Sequence, residues 1–150
     1  MSVMERILIS ACLVGDNVKY DGGNNKNPLI SKLLEKYELV PFCPEVEGGL
    51  PTPRHPAEQR GEQVVNDIDE DVTDEFNRGA DLALNICLYL KIKKAILKER
   101  SPSCGVHSIY DGTFSHKVIS GSGVTATLLK RKGIDVYNED EIPMLLDLDK

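Results

Sequence analysis

The sequence predicts one α/β domain over residues 1–150, a single three-layer α/β/α sandwich with a mostly parallel sheet of Rossmann-like or flavodoxin-like topology. Short apolar runs alternate with segments of helical period, which is typical of parallel sheets covered by helices on both faces. A length of 150 residues fits one domain, and 41% hydrophobic and 28% charged residues are ordinary for a globular protein. The sequence leaves the strand order open.

The first part of the chain predicts two buried strands with a helix between them. Residues 6–13 form a nearly continuous apolar run, as expected of a strand buried on both faces. A helix is expected from residue 28 to about residue 37, because its leucines and isoleucine recur at helical spacing. Residues 38–44 predict the second strand. Pro41 and Pro44 lack the amide hydrogen that a sheet needs, so this strand should be short or paired on one side at its end.

The rest of the chain continues the alternation of strands and helices. A segment rich in glycine and proline, residues 45–71, predicts a long functional loop. The longest helix is expected to start at residues 72–73 and to carry Cys87 on its apolar stripe, where a core role is expected. The remaining predictions are a strand at 94–98, a loop at 99–105, a helix at 124–131 ended by Gly133, a strand at 134–137 and a helix at 140–148.

The composition favours a cytoplasmic soluble protein that does not bind nucleic acid directly. There are 18 basic and 24 acidic residues, and a net charge of −6 argues against direct binding to nucleic acid, which needs a basic face. The start of the sequence lacks a signal-peptide pattern, and no apolar run reaches the roughly 18 residues that span a bilayer. Cytoplasmic thiols stay reduced, so the cysteines are expected to be ligands, catalysts or core residues.

Three cysteines occupy equivalent places in the predicted fold. Cys12 lies at the end of the first strand, Cys43 at the end of the second, and Cys104 in the loop after the third. In an open parallel sheet, ligands bind outside the carboxyl ends of the strands, so these thiols should gather at one edge. Thiolates favour zinc or an iron–sulfur cluster, and a structural zinc site is normally closed by four protein ligands. Three ordinary buried cysteines are the alternative.

Several short motifs are more specific together than any one of them is alone. They are SACLVG at 10–15, YDGG at 20–23, CPEVEGGLPTPR at 43–54, DVT at 71–73, AILK at 95–98, SPSCG at 101–105 and IYDGTF at 109–114. In these motifs the chain resembles the 2-thiouracil desulfurase family, long catalogued only as a domain of unknown function. The resemblance runs from about residue 7 to residue 138.

The resemblance implies a cluster-dependent desulfurase. A 4Fe-4S cluster would be held by Cys12, Cys43 and Cys104, and its open iron would take the sulfur of a thiolated pyrimidine or a similar small molecule. Water would replace the sulfur, which gives the oxo-compound and hydrosulfide. The resemblance also implies that Glu45, next to the second cysteine, and Ser101, near the third, assist. Protein prepared in air is expected to lose the cluster and to carry zinc or empty thiols instead.

Acid–base chemistry is expected from Glu45, because it follows Cys43 by two residues. Glu47 is the rival base, and the alternative role of Glu45 is to anchor Arg54. Prolines stiffen the loop around Arg54, whose guanidinium suits either an anionic group of the substrate or a structural ion pair.

Hydroxyl and carboxylate groups near the predicted edge complete the set of candidates. Ser101 is expected to orient water or to donate to a cluster sulfur, and Ser103 and Asp21 are candidates for substrate binding. Loop and turn roles are the alternative for all three, and Asp21 precedes two glycines, which suits a tight turn.

The alternative function is a non-catalytic metal-binding or redox-sensing module that uses the same three cysteines. Glu45 discriminates between the two functions, because a sensor has no use for a proton-transfer carboxylate beside a ligand.

Overall fold

The computed structural model describes residues 4–148, and it describes side chains for residues 4–147. In chain order the elements are β1 (Glu5–Ser10), a 3-10 helix (Ala11–Val14), α1 (Ile30–Leu34), β2 (Tyr37–Phe42), α2 (Pro44–Glu47), β3 (Ala57–Arg60), β4 (Gln63–Asn66), α3 (Thr73–Leu90), β5 (Lys94–Leu97), β6 (Ser108–Tyr110), β7 (Val118–Ser120), α4 (Val124–Arg131), β8 (Asp135–Asn138), a second 3-10 helix (Glu139–Glu141) and α5 (Ile142–Leu148).

The main sheet has four parallel strands in the order β2-β1-β5-β8. When these four strands alone are numbered along the chain, their order across the sheet is 2-1-3-4. The flavodoxin-like order begins in the same way. The predicted α/β class with a mostly parallel sheet is confirmed, and the strand order is flavodoxin-like. The chain leaves β1 toward one side of the sheet and later returns to β5 on the other side, so the topological switch point lies between β1 and β5.

Helices cover both faces of this sheet. Leu8 and Leu97 point to the face that α3 and α4 cover, where they pack in one apolar cluster with Ala83. Ile7 and Ile9 point to the opposite face, which α1 and α5 cover. Successive residues of β1 alternate between the two clusters because side chains alternate across a strand. The predicted three-layer arrangement is therefore confirmed. No helix in the described part of the chain is both long and apolar enough to cross a membrane.

The first predicted strand is too long at its carboxyl end. The sheet pairing stops at Ser10, and residues 11–14 form the 3-10 helix instead. Gly15 follows with a φ of 104°, a left-handed conformation that glycine adopts at low cost, and its amide donates to the carbonyl of Cys12. Cys12 therefore sits in the turn that leaves the sheet, not in the strand itself.

The second strand and its helix agree with expectation in kind but not in length. The predicted helix at 28–37 is only five residues long, Ile30–Leu34, because the chain must enter β2 at Tyr37, which is 2% exposed and pairs with Glu5. β2 lies at the edge of the sheet and pairs only with β1 among the described strands. This edge position accommodates Pro41, as the sequence predicts.

The prediction of one long loop at 45–71 is wrong. This segment holds α2 and the antiparallel hairpin of β3 and β4, whose turn uses Gly61 at a φ of 64°. A second hairpin, β6–β7, was not predicted at all. Both hairpins have strands of three or four residues outside the main sheet, so they lack the apolar runs by which the sequence reveals a buried strand.

The longest helix agrees with its prediction and also fixes the Cys43 region. Its stripe of Phe76, Ala80, Ala83 and Cys87 is buried. Gly79 lies on the same helix, and a Cβ at this position would collide with the backbone carbonyl of Pro44. The absence of a side chain thus lets α3 pack directly against the backbone that follows Cys43.

Cys87 is a core residue, and its substitution by serine is expected to affect stability. The thiol is 1% exposed in an apolar cluster, and burial raises its pKa to about 11, so it is neutral at neutral pH. Cys87→Ser places a hydroxyl in this cluster and should lower the free energy of unfolding by about 1–2 kcal/mol. Urea unfolding measures the difference, with Cys87→Ala as the apolar control. A serine variant as stable as the wild type would contradict the core assignment.

Candidate metal centre

A cavity of about 540 Å³ opens at the carboxyl edge of the sheet, and Cys12, Cys43 and Cys104 all line it. Cys12 comes from the 3-10 helix after β1, Cys43 directly follows β2, and Cys104 lies in the loop after β5. The strands are parallel, so their carboxyl ends deliver these residues to the same side. The three thiols lie at the edge where the sequence placed them, and their role as ligands stays a prediction.

All three thiols are free and sit in a partly dehydrated environment. Burial raises the pKa of each of them, and the charges of Cys12 and Cys43 raise the pKa of Cys104 further. As thiolates, these groups would repel one another in the cavity, so a cationic group bound between them would relieve the repulsion. Among the described residues, no group of three or more His, Cys, Asp or Glu side chains is placed to hold a metal ion.

Cys12 is fixed by a loop that no sequence pattern singled out. The side-chain amide of Asn25 donates to the Cys12 sulfur at 3.4 Å, and the Asn25 backbone amide donates to the Cys12 carbonyl at 2.9 Å. The first of these bonds opposes the effect of burial on the pKa of Cys12. Asn25 sits in a run of polar residues with no local pattern, so only the folded loop reveals its contact.

Glu45 and Arg54 form a buried ion pair at the cavity wall. The Arg54 Nε lies 3.1 Å from Glu45 Oε1, and the two side chains are 6% and 16% exposed, respectively. Burial raises the pKa of Glu45, while the guanidinium opposes the rise. Both residues line the cavity, whereas Glu47 is exposed and lies outside its lining. Of the two roles weighed for Arg54, the structural ion pair is present, and contact with the substrate stays a prediction.

Most of the remaining Arg54 donors are used within the protein. Its terminal nitrogens donate to the carbonyls of Val18 at 2.8 Å and Pro51 at 3.2 Å, and to Thr52 Oγ1 at 3.1 Å. The Arg54 amide also donates to the carbonyl of Tyr20 at 2.7 Å. Arg54 therefore ties the loop after β1 to the loop after α2 and holds Glu45 between them.

Ser101 lines the cavity and shapes the turn that carries Cys104. Its hydroxyl oxygen accepts hydrogen bonds from the backbone amides of Ser103 at 3.2 Å and Cys104 at 3.0 Å. Ser103 itself is fully buried and shares a hydrogen bond of 2.8 Å with Thr125. Ser103 lies outside the cavity lining, so its contacts are those of a loop residue.

Asp21 is also outside the cavity lining. Its carboxylate accepts from the backbone amide of Gly23 at 2.9 Å and lies 3.9 Å from the Lys19 ammonium. These are the contacts of the tight turn that its sequence suggests. Substrate binding by Asp21 and Ser103 stays a prediction that these contacts do not support.

Glu99 organises the loop that carries Cys104, and sequence reasoning missed it. Its Oε1 accepts from the backbone amides of Val106, His107 and Ser108 at 2.7, 2.9 and 3.0 Å. Its Oε2 accepts from the side-chain amide of Asn138 at 2.7 Å. Burial alone would raise the pKa of Glu99, but these donors outweigh it and lower the pKa to about 2. The sequence signal is slight: an acidic residue shortly after a buried strand.

Lys98 adds a positive charge to the cavity, and sequence reasoning missed it too. Its ammonium lies 2.8 Å from Glu139 Oε2 and donates to the carbonyl of Glu99 at 3.0 Å. The charge of Lys98 lowers the pKa of Cys12, against the larger effect of burial. The cavity thus combines three sulfur donors and fixed cations with several carboxylates, among them those of Glu45, Glu58 and Glu99.

Glu99→Gln should destabilise the protein at neutral pH. The folded pKa lies below the unfolded value, so the carboxylate contributes stability above about pH 4.5, and this contribution is lost as the pH falls toward 2. We expect a loss of roughly 2–3 kcal/mol at pH 7 that shrinks in acid. Urea unfolding at several pH values measures it, and Glu35→Gln on the exposed surface is the control. Equal stability of Glu99→Gln and the wild type at pH 7 would contradict this account.

The chain has relatives over nearly its whole length. The family model for 2-thiouracil desulfurase matches residues 7–141. The chain is 43% identical to YbbK of Bacillus subtilis (strain 168), an uncharacterized protein, over 150 residues that cover 93% of this chain and 99% of YbbK. It also matches the solved structure of TudS, described as a 4Fe-4S-dependent thiouracil desulfidase, with a TM-score of 0.91, 49% identity and coverage of 97% of both chains. This chain therefore belongs to the 2-thiouracil desulfurase family.

Proposed function

We propose that this chain hydrolyses the thiocarbonyl group of a thiolated pyrimidine and that Cys12, Cys43 and Cys104 hold a 4Fe-4S cluster for the reaction. In balanced form, the C=S group and one water give C=O and hydrogen sulfide. The observation that carries the proposal is that three free thiols and a buried carboxylate line one cavity. The likeness to TudS at 49% identity supports the same conclusion.

The donor set fits an iron–sulfur cluster. Thiolates are the ligands that such clusters take, and the three sulfurs come from separate elements around a cavity of about 540 Å³. Neutral thiols with raised pKa values lose their protons when metal binds, so cluster binding should be favoured at higher pH. With three protein ligands, the cluster supplies one open iron, a Lewis acid with affinity for the thiocarbonyl sulfur.

Glu45 is the proposed proton carrier. Arg54 holds its Oε1, so we assign the transferred proton to Oε2. In the ionised form Glu45 takes a proton from the water that attacks the thiocarbonyl carbon, and it then gives this proton to the departing sulfur, which leaves as hydrosulfide. The second proton of the water leaves the new hydroxyl group as the carbonyl forms, and with the hydrosulfide it makes up the hydrogen sulfide of the balanced reaction. Burial raises the pKa of Glu45, which brings the two protonation states closer in free energy near neutral pH, as a group that first accepts and then donates requires.

Ser101 is proposed to donate a hydrogen bond, not to accept a proton. A hydroxyl has two acceptor lone pairs and one hydrogen. Both lone pairs already face backbone amides, those of Ser103 and Cys104. The hydrogen is therefore the group that Ser101 can offer to a water or a sulfur in the cavity.

Arg54 is proposed to act on the substrate mainly through Glu45. Its contacts with Glu45, Val18 and the segment 51–52 use most of its donors. A guanidinium fixed in this way keeps the carboxylate oriented and its charge balanced. The same buried pair favours an enzyme over a redox sensor, because a sensor gains nothing from a carboxylate held ready beside the thiols.

The substrate is proposed to be a free small molecule in the cytoplasm. The net charge of −6 disfavours docking of a nucleic acid, and the three thiols must stay reduced to bind metal. Residues 1–150 would act as one unit, because the site draws on three strands of one sheet.

The function is tested by anaerobic reconstitution with iron and sulfide, followed by a sulfide assay over a panel of thiolated pyrimidines. We expect brown protein that absorbs near ~400 nm and releases sulfide together with the oxo-base. Protein that stays colourless, or coloured protein that releases no sulfide from any compound of the panel, would refute the proposed function.

Replacement of a proposed ligand should abolish cluster binding. Cys12→Ser, Cys43→Ser and Cys104→Ser each remove one of the three sulfur donors, so we expect loss of the visible absorbance and of most bound iron after reconstitution. Cys87→Ser is the matched control, because its thiol lies in the core and away from the cavity. Equal iron loss in Cys87→Ser and Cys12→Ser would contradict the ligand assignment.

Glu45→Gln should separate cluster binding from turnover. The amide keeps the shape of the side chain but cannot carry the proton, so we expect a full iron complement and a loss of about 10²–10⁴-fold in kcat. Glu47→Gln, the same change on the exposed neighbour, should leave kcat near the wild-type value. Turnover that survives in Glu45→Gln would move the acid–base role to another group.

A further inference from the structure

We propose that the β6–β7 hairpin supplies an aromatic wall, made of Tyr110, Phe114 and His116, against which the flat ring of the substrate stacks. Glu58 acts as the positioning residue that fixes this wall. The inference rests on the proposed function and deepens it, because it limits good substrates to planar heteroaromatic thiocarbonyl compounds.

The aromatic wall lines the same cavity as the three thiols. Tyr110 ends β6, and the two other members lie in the loop that joins β6 to β7. Apart from Ile109 of β6, which is buried, this hairpin adds little to the core, since β7 is exposed along its length, with Val118 at 43% and Ile119 at 40%. Core packing therefore does not explain why two aromatic residues and a histidine converge on the cavity from this hairpin.

The loop of the hairpin is held by a buried carboxylate. Glu58 lies in β3 and is 8% exposed. Its Oε1 accepts from the backbone amides of Gly112 at 2.9 Å and Phe114 at 3.1 Å. A buried carboxylate that accepts two backbone amides fixes the loop strongly, because such charge-assisted bonds are shorter and stronger than neutral ones.

Close packing fixes the same loop from a second side. Arg60 donates from its Nε to the carbonyl of Gly112 at 2.7 Å, and its guanidinium lies 5.7 Å from the centre of the Phe114 ring. Gly112 has a φ of 93°, and a Cβ there would collide with the carbonyl of Gln59. The backbone can pass this close to β3 only because residue 112 is a glycine.

Two members of the wall have strained backbone. Phe114 and His116 both have positive φ values, 58° and 63°, which is uncommon for residues with side chains. The His116 ring meets the Tyr110 ring edge to face, with centres 6.3 Å apart. Backbone strain of this kind persists where surrounding contacts impose it, and it concentrates at ligand-binding sites.

A preformed aromatic surface recognises a ring by its face. Nucleobases stack on aromatic side chains whatever their exact substituents, because each base has a π-face. Stacking would hold the pyrimidine ring flat while its thiocarbonyl sulfur points into the cavity toward the thiols. The ring face, and not hydrogen bonding alone, then decides which thiocarbonyl compounds bind well.

The test compares uracil with 5,6-dihydrouracil, which keeps the hydrogen-bonding groups of uracil but has a puckered, non-aromatic ring. Dissociation constants are measured by calorimetry on the cluster-loaded protein, and KM and kcat are measured with 2-thiouracil. In Phe114→Leu, which keeps apolar bulk and removes the π-face, we expect uracil to bind about tenfold more weakly and the preference for uracil over dihydrouracil to disappear. KM should rise more than kcat falls, and iron content should stay at the wild-type value.

Matched variants separate stacking from general damage. Phe114→Tyr keeps the aromatic face and should bind uracil as the wild type does. Tyr89→Leu removes an aromatic residue that is 86% exposed on α3, so it should leave the affinity for uracil unchanged. Glu58→Ala should weaken uracil binding and reduce the preference over dihydrouracil, as Phe114→Leu does. Glu58→Gln keeps an acceptor oxygen for the loop amides, so it should keep most of the affinity for uracil.

The outcomes distinguish this inference from the proposed function. Unchanged uracil affinity and an unchanged preference over dihydrouracil in Phe114→Leu would overturn the aromatic wall while sulfide release by the wild type stands. Absence of sulfide release by the wild type would refute the proposed function, and the binding data would still decide whether the wall recognises a flat ring.

Discussion

Three thiols share one cavity because three parallel strands end at the same edge of the sheet. Cys12, Cys43 and Cys104 are far apart in the sequence, and no local motif joins them. The pairing of β1 with both β2 and β5 fixes the positions of the strand ends relative to each other. The loops that follow the strands then determine where the three sulfur atoms lie. A slip of one strand by one residue would turn its core side chains to the other face of the sheet. The apolar clusters on the two faces therefore fix the strand register, and with it the relative positions of the three cysteines.

Burial and fixed charge give this edge its chemical character. Dehydration favours the neutral forms of the three thiols and of Glu45, while Arg54 and Lys98 supply positive charge that opposes this effect. Two carboxylates act as anchors for backbone rather than as reactants. Glu99 gathers the amides of the loop with Cys104, and Glu58 gathers those of the β6–β7 loop. The same residue type thus holds loop backbone at two positions and is proposed to transfer a proton at a third, according to its partners.

Sequence reasoning succeeded where a pattern reflects burial and failed where a contact depends on the folded loops. The parallel sheet follows from the alternation of apolar strands with helical segments, α3 with Cys87 in the core follows from apolar periodicity, and α4 follows from the glycine that ends it. The strands of the two hairpins, three or four residues long, are too short to give such a signal. Asn25, whose amide meets the Cys12 sulfur, and Glu99, which binds three amides of one loop, look like ordinary polar residues until the chain is folded. The ion pair of Glu45 with Arg54 lies between these cases, since the sequence offered it as one of two roles.

In the proposed site, three cysteines hold a cluster with one iron left for the sulfur of the substrate. Mössbauer spectroscopy of the iron-57 reconstituted protein, with and without 2-thiouracil, tests it most directly. We expect a 4Fe-4S spectrum in which addition of the substrate changes one iron subsite and leaves the other three nearly unchanged. A spectrum without this cluster, or one that 2-thiouracil leaves unaltered at every iron, would contradict it.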